Sequence, residues 1–380
     1  MVQGVVQVQM TYRAVRVVKE MMAAVVSLRR FGAAVGALLV LAGVPGAGSA
    51  RADGGSGAPP SLPIVQGRVF TPGDSALPPT RLFVRTRAGT DSVDVLPSGH
   101  FTLLLSDPSA EAADVLVDAA DPGDRRYYPS FVHVTSVREL QDLRVVLVPR
   151  QWTITSGSYG GQTLGVDVRA ALARTGDETR FWRLSRLPSR PASVAVGWPA
   201  ERLPVPVALQ RSRVRISAAD SAAFWGIVRE LEGDFGMSLF EPASPGTGGD
   251  DDPSVSGVAV RVDPSLHTAG LTFVTWSGDG DIYDATVNVR STALLHDPRV
   301  VTHEMLHALG LGHTPSWTSV MSTASQHVPR ATPADVAHGQ LMQWLRSAQR
   351  AAGAPYGIDA AADGARAAAA WRPPHVATAP

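Results

Sequence analysis

The segment HEMLHALGLGH, at residues 303–313, restricts the backbone of the chain more strongly than any other stretch. In an α-helix, residues four apart lie on one face about 6 Å from each other, so His303 and His307 can bind one ion from a single helix. A continued helix would carry His313 about 15 Å along its axis and off that face. The chain must therefore leave the helix before His313, and Gly310 is the residue type that tolerates the positive φ of such an exit.

Three imidazoles and one carboxylate at this spacing suit a zinc ion with an activated water molecule. Glu304 follows the first histidine, from where it reaches such a water without occupying a ligand position, which is the placement of a general base. The sequence therefore predicts His303, His307 and His313 as zinc ligands and Glu304 as the catalytic residue. Two alternative interpretations stay open: an amphipathic core helix with surface histidines, and a zinc site without activity.

Two further residues extend this pattern, because Thr314 follows the third histidine and Met321 lies eight positions beyond it. Together they resemble the metzincin metallopeptidases, and among these the matrixins and their bacterial relatives most closely. The resemblance spans roughly residues 186–350 and implies a catalytic zinc on the three histidines, Glu304 as general base, and Met321 in a turn beneath the metal. Matrixins usually have Ser or Thr where Thr314 stands, whereas astacins have Glu and adamalysins Asp. Thr323 replaces the tyrosine of astacins and serralysins, so no tyrosine helper is expected.

The same resemblance implies an α+β catalytic domain with a twisted, mostly parallel sheet, an active-site helix and a C-terminal helix. Its strands are predicted at residues 203–210, 237–240, 258–262, 271–276 and 285–290. Helix starts are predicted at Ser217–Asp220, Asp297–Pro298 and Thr332–Asp335, from their capping residues. In matrixins an aspartate near the last of these supports the methionine turn, so Asp335 has two candidate roles, turn support and helix cap.

The N-terminal half predicts short β-strands separated by clusters of Pro, Gly, Asp and Ser, at residues 65–70, 81–87, 92–96, 101–105, 115–119, 131–135 and 144–148. Their number and spacing are typical of an all-β sandwich. The segments QGRV, GHF and VVLVP at residues 66–69, 99–101 and 145–149 resemble the carboxypeptidase regulatory-like sandwich modules of secreted proteins. That resemblance leaves two roles open, a spacer that adds stability and a module that binds a surface or glycan.

The predicted organisation is multidomain: an N-terminal all-β sandwich is followed by the metzincin-type catalytic domain. The predicted parts are a targeting segment at 1–52, a flexible lead at 53–61, the sandwich at 62–150, connecting segments at 151–190, the zinc peptidase domain at 191–350 and a disordered tail at 351–380. The connecting segments contain Trp152, Tyr159, Phe181 and Trp182 and are expected to be packed, because they are too aromatic for a free linker.

The first 52 residues have the pattern of a secretory signal peptide. Arg29 and Arg30 precede an apolar run at residues 31–44, and Ala50-Arg51-Ala52 matches an A-x-A cleavage site. An uncleaved N-terminal anchor and a later start codon are the alternatives. No later stretch is apolar enough to span a bilayer, so the mature chain is expected in a secreted, periplasmic or cell-surface location.

Composition limits the possible partners and ions. The chain has 34 basic and 34 acidic residues, and without the first 52 residues 28 basic face 33 acidic ones, a net of −5, which does not indicate nucleic-acid binding. The absence of cysteine excludes disulfides and the cysteine-based latency common in matrixins. The acidic loops at 249–252 and 278–281 offer oxygen ligands, so Ca²⁺ and a solvated turn both stay open for each.

The function predicted from these residues is an exported, monomeric zinc endopeptidase acting on polypeptide substrates. The strand at residues 271–276 is a candidate edge that would hold a substrate extended through main-chain hydrogen bonds. Two other functions stay open: a surface protein in which the sandwich binds glycan or protein and the zinc domain is vestigial, and a zinc hydrolase of a non-peptide amide.

Overall fold

The computed structural model describes residues 63–71, 76–107, 111–121, 123–175, 179–186, 193–210, 214–243, 257–316, 318–323, 328–353 and 356–367. The predicted targeting segment, the flexible lead and the acidic loop at 249–252 lie outside these ranges. Within them the chain is mostly β-sheet with a few helices. None of the described helices combines the length and the apolar composition needed to cross a membrane.

The N-terminal region consists of two small sheets around a shared core. Its strands are β1 (Ile64–Phe70), β2 (Thr80–Arg85), β3 (Thr90–Val95), β4 (His100–Leu104), β5 (Ala113–Ala119), β6 (Ser130–Val134) and β7 (Leu143–Val146). The strand orders are β4-β1-β7 and β3-β2-β5-β6. Side chains alternate between buried and exposed along β4, as expected for strands with one face toward a core. All seven predicted strands are confirmed, each end within two residues of its predicted position.

The connecting segments are packed, as predicted. They form β8 (Gln151–Thr153), β9 (Thr163–Gly165), α1 (Val168–Leu172), β10 (Arg174–Thr175), β11 (Thr179–Arg180) and β12 (Leu184–Arg186), and β12 pairs with β13 (Ser193–Ala195). Trp182 is fully buried, and the ring of Trp152 lies 6.0 Å from that of Trp344. These aromatic side chains therefore belong to the main core and not to a linker.

A five-stranded sheet supports the region of the histidine segment. It contains β14 (Val205–Leu209), β15 (Phe240–Pro242), β16 (Val258–Val262), β17 (Gly270–Trp276) and β18 (Ile282–Val289), in the order β15-β14-β16-β18-β17. All neighbours are parallel except β17, which runs antiparallel to β18 at the edge. The second strand begins later than predicted, because Glu232 accepts hydrogen bonds from the backbone of Leu239 and Phe240 where the chain turns after a helix.

Four helices complete the described fold: α2 (Ala218–Phe235), α3 (Pro298–Ala308), α4 (Pro333–Ala352) and α5 (Ile358–Ala367). The three predicted helix starts are confirmed. Ser217 and Asp220 form a capping box on α2, and Thr332 and Asp335 form one on α4. Asp297 caps α3 by accepting hydrogen bonds from the first backbone N–H groups. These caps satisfy backbone N–H groups at the helix start, which have no backbone carbonyl within the helix to pair with.

The prediction of a disordered tail at residues 351–380 is wrong for residues 351–352, which end α4, and for residues 356–367. Tyr356 and Ala360 lie in the core of the N-terminal sheets, and the amide of Val146 donates to the carbonyl oxygen of Tyr356 at 2.9 Å. The alanine-rich composition is typical of a low-complexity tail. However, alanine is the strongest helix former, and its small side chain allows close packing. Residues 368–380 of the predicted tail lie outside the described ranges.

Candidate metal centre

The first two histidines lie on α3, whose start is set by the sequence. The carboxylate of Asp297 accepts from the amides of Arg299 and Val300 at 2.9 and 3.4 Å, and Pro298 occupies the first turn, where its missing N–H costs nothing. The helix then continues to Ala308. His303 and His307 therefore lie on one face, as the four-residue spacing predicts.

The helix ends where the sequence predicts an exit. Leu309 follows the last residue of α3, and Gly310 has φ +102°, a conformation that residues with a side chain rarely adopt. A Cβ atom at Gly310 would lie 2.7 Å from the carbonyl oxygen of Val196, so there is also no space for a side chain. This reversal brings His313 back to the face that His303 and His307 share.

The three histidine side chains converge on one point. The Nε2 atom of His307 lies 3.1 Å from those of His303 and His313, which are 3.2 Å from each other. Three nitrogens bound to one ion at zinc distances with ideal tetrahedral angles would be about 3.3 Å apart. The triangle therefore has the size that one such ion requires. Within the described part of the chain, this is the one group of three potential ligands that could hold a metal ion.

Backbone carbonyls orient two of the imidazole rings. The Nδ1 atom of His303 lies 2.7 Å from the carbonyl oxygen of Val320, and that of His307 lies 2.8 Å from the oxygen of Leu311. A carbonyl oxygen only accepts, so both Nδ1 atoms carry the proton and both Nε2 atoms point a lone pair at the centre. Burial lowers the pKa of His307 well below its usual value and that of His313 to about 4, so both are neutral near pH 7.

Asp335 has both of the roles that the sequence left open. Its carboxylate caps α4 by accepting from the amide of Thr332 at 2.9 Å. It also accepts from the hydroxyl of Ser319 and, at 3.1 Å, from the amide of Val320. Because the carbonyl of Val320 orients His303, this nearly fully buried carboxylate connects the start of α4 to the position of a candidate ligand.

Thr314 and Met321 join the histidine segment to this turn. The amide of Thr314 donates to the carbonyl oxygen of Met321 at 3.2 Å, and the amide of Met321 donates to the hydroxyl of Ser319 at 3.0 Å. Met321 is fully buried. The chain that follows the third histidine is therefore paired with the methionine-containing turn, which limits how far His313 can move.

Glu304 faces the edge strand of the sheet. The hydroxyl of Thr272 donates to Glu304 Oε2 at 2.6 Å, and a Cβ atom at Gly270 would lie 2.5 Å from Glu304 Oε1. Glu304 is 5% exposed, and this burial raises the pKa of its carboxyl group. Sequence analysis identified Glu304 and the strand but missed Gly270 and Thr272, because their approach to Glu304 depends on how α3 packs against β17.

The connecting segments supply a second group of residues that the sequence did not identify. Trp182 forms an antiparallel bridge with Leu311, and the carbonyl oxygen of Phe181 accepts from the amide of Gly312 at 2.9 Å. The following residue, Arg183, lies in electrostatic reach of Glu304 and of two histidines. The aromatic pair indicated packing in the sequence, but no spacing rule places it beside the histidines.

The acidic loop at residues 278–281 forms ion pairs with α4. The carboxylate of Asp281 pairs with the guanidinium groups of Arg346 and Arg350, the latter at 2.8 Å. Arg346 is nearly fully buried, so its charge needs this partner. The loop thus connects to α4 through the ion pairs of Asp281, whereas Asp279 is exposed in the turn.

No family model matches the chain, and no curated protein matches it at a significant level. Its functional interpretation therefore depends on the residues and on their geometry.

Proposed function

We propose that the protein is a zinc-dependent endopeptidase of the metzincin type, in which His303, His307 and His313 bind the metal and Glu304 is the general base. The observation that carries the proposal is the triangle of three imidazole nitrogens beside a buried carboxylate. His303 and His313 are partly exposed, so substrate and water have access to the centre. An accessible three-ligand site is typical of catalytic zinc and not of structural zinc, which has four protein ligands.

The donor set fits zinc. Neutral imidazole nitrogens are common zinc ligands, and two of the three rings have their protons on the nitrogen that faces away from the centre. When bound, the ion would supply Lewis acidity to a water molecule and to the scissile carbonyl. The three Nε2 atoms, 3.1–3.2 Å apart, are close enough to share one cation.

Glu304 would move the proton. Its raised pKa favours proton uptake at neutral pH, since a general base is most effective when its pKa is near the working pH. The hydroxyl of Thr272 occupies one carboxylate oxygen, which fixes the rotamer and leaves the other oxygen for the attacking water. The same carboxyl group would then return the proton to the leaving nitrogen.

The side of the edge strand β17 that faces away from β18 favours a polypeptide as the substrate. β17 pairs with β18 on one side, and no described strand pairs with its other side. Gly270 and Thr272 of β17 reach Glu304, so a peptide added along this edge would pass close to the centre. Main-chain pairing of this kind accepts any internal stretch of extended chain, which favours endopeptidase action. Export through the predicted targeting segment belongs to the same proposal.

The decisive experiment compares the zinc-loaded wild type with Glu304→Gln on an unfolded protein substrate. We expect the substitution to lower kcat/KM by about 10²- to 10⁴-fold, with one zinc per chain and the circular dichroism spectrum retained. Glu230→Gln, an exposed glutamate on α2, is the matched control and should change nothing.

Two results would contradict the proposal. Full cleavage by Glu304→Gln would refute the assigned base. If the zinc-loaded wild type cleaves neither proteins nor peptides, one of the alternatives is favoured. A panel of small amides would then separate a non-peptide hydrolase from a vestigial site.

A further inference from the structure

Arg183 is a charged residue next to the candidate metal centre that has no assigned partner. Its Nε atom is buried without a hydrogen-bond acceptor, and Arg183 forms no ion pair with any residue that the structure describes. Leaving a buried charged donor unpaired costs free energy, so such groups are rare unless they have a ligand or a functional role. The guanidinium therefore does not act as a structural tie within the described fold.

The backbone at Arg183 is held firmly beside the histidine segment. The carbonyl oxygen of Arg183 accepts from the amide of Val196 at 3.0 Å, and the amide of Trp182 donates to the oxygen of Ala171 at 2.9 Å. Trp182 also bridges Leu311, whose carbonyl orients His307. The backbone from which the Arg183 side chain extends is thus held by the same contacts that order the loop between the second and third histidines.

The charge of Arg183 acts on the centre. The guanidinium lies within electrostatic reach of Glu304, His307 and His313. Burial lowers the pKa of Arg183 itself to about 10, so the guanidinium stays charged at neutral pH. A positive group held near a cation site weakens cation binding, and this cost indicates a compensating use during the reaction.

The chemistry of the group identifies its ligand. A guanidinium presents planar, paired N–H donors that match a carboxylate in a bidentate arrangement. We propose that Arg183 is a substrate-binding residue that takes a carboxylate of the peptide substrate beside the metal centre. This carboxylate has two possible sources, a C-terminal carboxyl group close to the scissile bond and an Asp or Glu side chain. The inference rests on the proposed peptidase function.

The test uses peptides that share one cleavable core. One pair differs in a C-terminal acid or amide, and other pairs carry Glu or Gln at each position flanking the scissile bond. We expect the zinc-loaded wild type to prefer the acidic member of one pair by about 10- to 100-fold in kcat/KM, mainly through KM, as for a charged hydrogen bond. The pair that shows the preference identifies the source of the carboxylate.

In Arg183→Gln this preference should fall to about one. Arg180→Gln, at an exposed arginine three residues earlier, is the matched control and should keep both the preference and the activity. If Arg183→Gln fails to fold, Arg183→Lys carries the test, because it keeps the charge but loses the bidentate geometry and should lower the preference. A preference that survives in the folded variant would overturn the proposal, and so would a wild type that cleaves all pairs equally.

A binding measurement separates this proposal from the peptidase function. Calorimetry with the Glu304→Gln variant should show tighter binding of the acidic peptide than of its neutral partner. This difference in affinity should disappear in the double variant that carries both Glu304→Gln and Arg183→Gln. If the wild type cleaves nothing but this difference is present, the peptidase proposal fails and the carboxylate site stands. If cleavage occurs but binding shows no difference, only the role of Arg183 is refuted.

Discussion

The histidine segment, taken here together with the methionine-containing turn as residues 303–321, and residues 181–186 of the connecting segments both lie at the candidate centre, but different kinds of contact position them. In the histidine segment, the carbonyls that orient His303 and His307 come from residues 320 and 311 of the same segment. In the connecting segment, Trp182 bridges Leu311 and the carbonyl oxygen of Phe181 accepts from the amide of Gly312, both far away in the sequence. The ligands are thus organised locally, whereas their surroundings depend on the whole fold.

The carboxylate of Glu304 depends on both kinds of contact. Its place in the sequence follows from the histidine segment, but its rotamer depends on Thr272 and on the space that Gly270 leaves. Changes in the histidine segment should therefore affect metal binding, and changes in its surroundings should affect catalysis or stability while metal binding remains.

The largest effect is expected for His307→Ala, which removes one of three convergent ligands. Changes to residues that merely support a ligand cost about 10- to 100-fold in metal affinity, and loss of a ligand should exceed that range. Competition with a chelating dye measures the affinity. His133→Ala, an exposed histidine on β6, is the control and should bind zinc like the wild type. Tight stoichiometric zinc binding by His307→Ala would refute the assignment of His307 as a zinc ligand.

Gly270→Ala tests the surroundings without touching a ligand. Because its Cβ would lie 2.5 Å from Glu304 Oε1, the carboxylate or the edge strand must shift. A displacement of about 1 Å in a catalytic group can cost about 10²-fold in rate, so kcat/KM should fall by about that factor while zinc affinity is retained. Gly233→Ala on α2, where a Cβ meets no atom within 4 Å, is the matched control. An unchanged rate in Gly270→Ala would show that the rotamer of Glu304 does not depend on β17.

The smallest effect concerns His338 on α4, whose ring lies 5.2 Å from those of Phe181 and Trp182 in the connecting segment. Burial lowers the pKa of His338 to about 4. In the unfolded chain the imidazole takes up a proton near pH 6.5, which the folded chain excludes, so the free energy of unfolding falls as the pH drops from about 6.5 toward 4.

We expect this loss to be about 2 kcal/mol between pH 7 and pH 5. It should be absent in His338→Gln, whose side chain does not titrate. Urea unfolding at the two pH values measures the difference between the proteins, and the titration of the three clustered histidines cancels because both proteins contain them. An equal loss in the two proteins would show that His338 is accessible to protons in the folded state.

Much of the fold was predictable from local patterns. Short β-prone stretches between clusters of turn residues indicated the seven N-terminal strands, and capping residues indicated the starts of α2, α3 and α4. The prediction at residues 356–367 failed because the alanine-rich composition was interpreted as low complexity, although alanine forms helices readily. The ion pairs of Asp281 were not predictable, because a pair of acidic residues does not reveal that Arg346 and Arg350 approach it from α4.

The sequence by itself determined the three histidines that converge on one point, because helical spacing and one glycine at residue 310 restrict the backbone over a few turns. It also determined the helix caps, including the cap role of Asp335. Only the tertiary structure decided what faces Glu304, which turn Asp335 supports and that Arg183 lies at the centre. Those contacts join strands and helices distant in the sequence, and they depend on how the sheet, α3 and the connecting segments pack together, which no local spacing encodes.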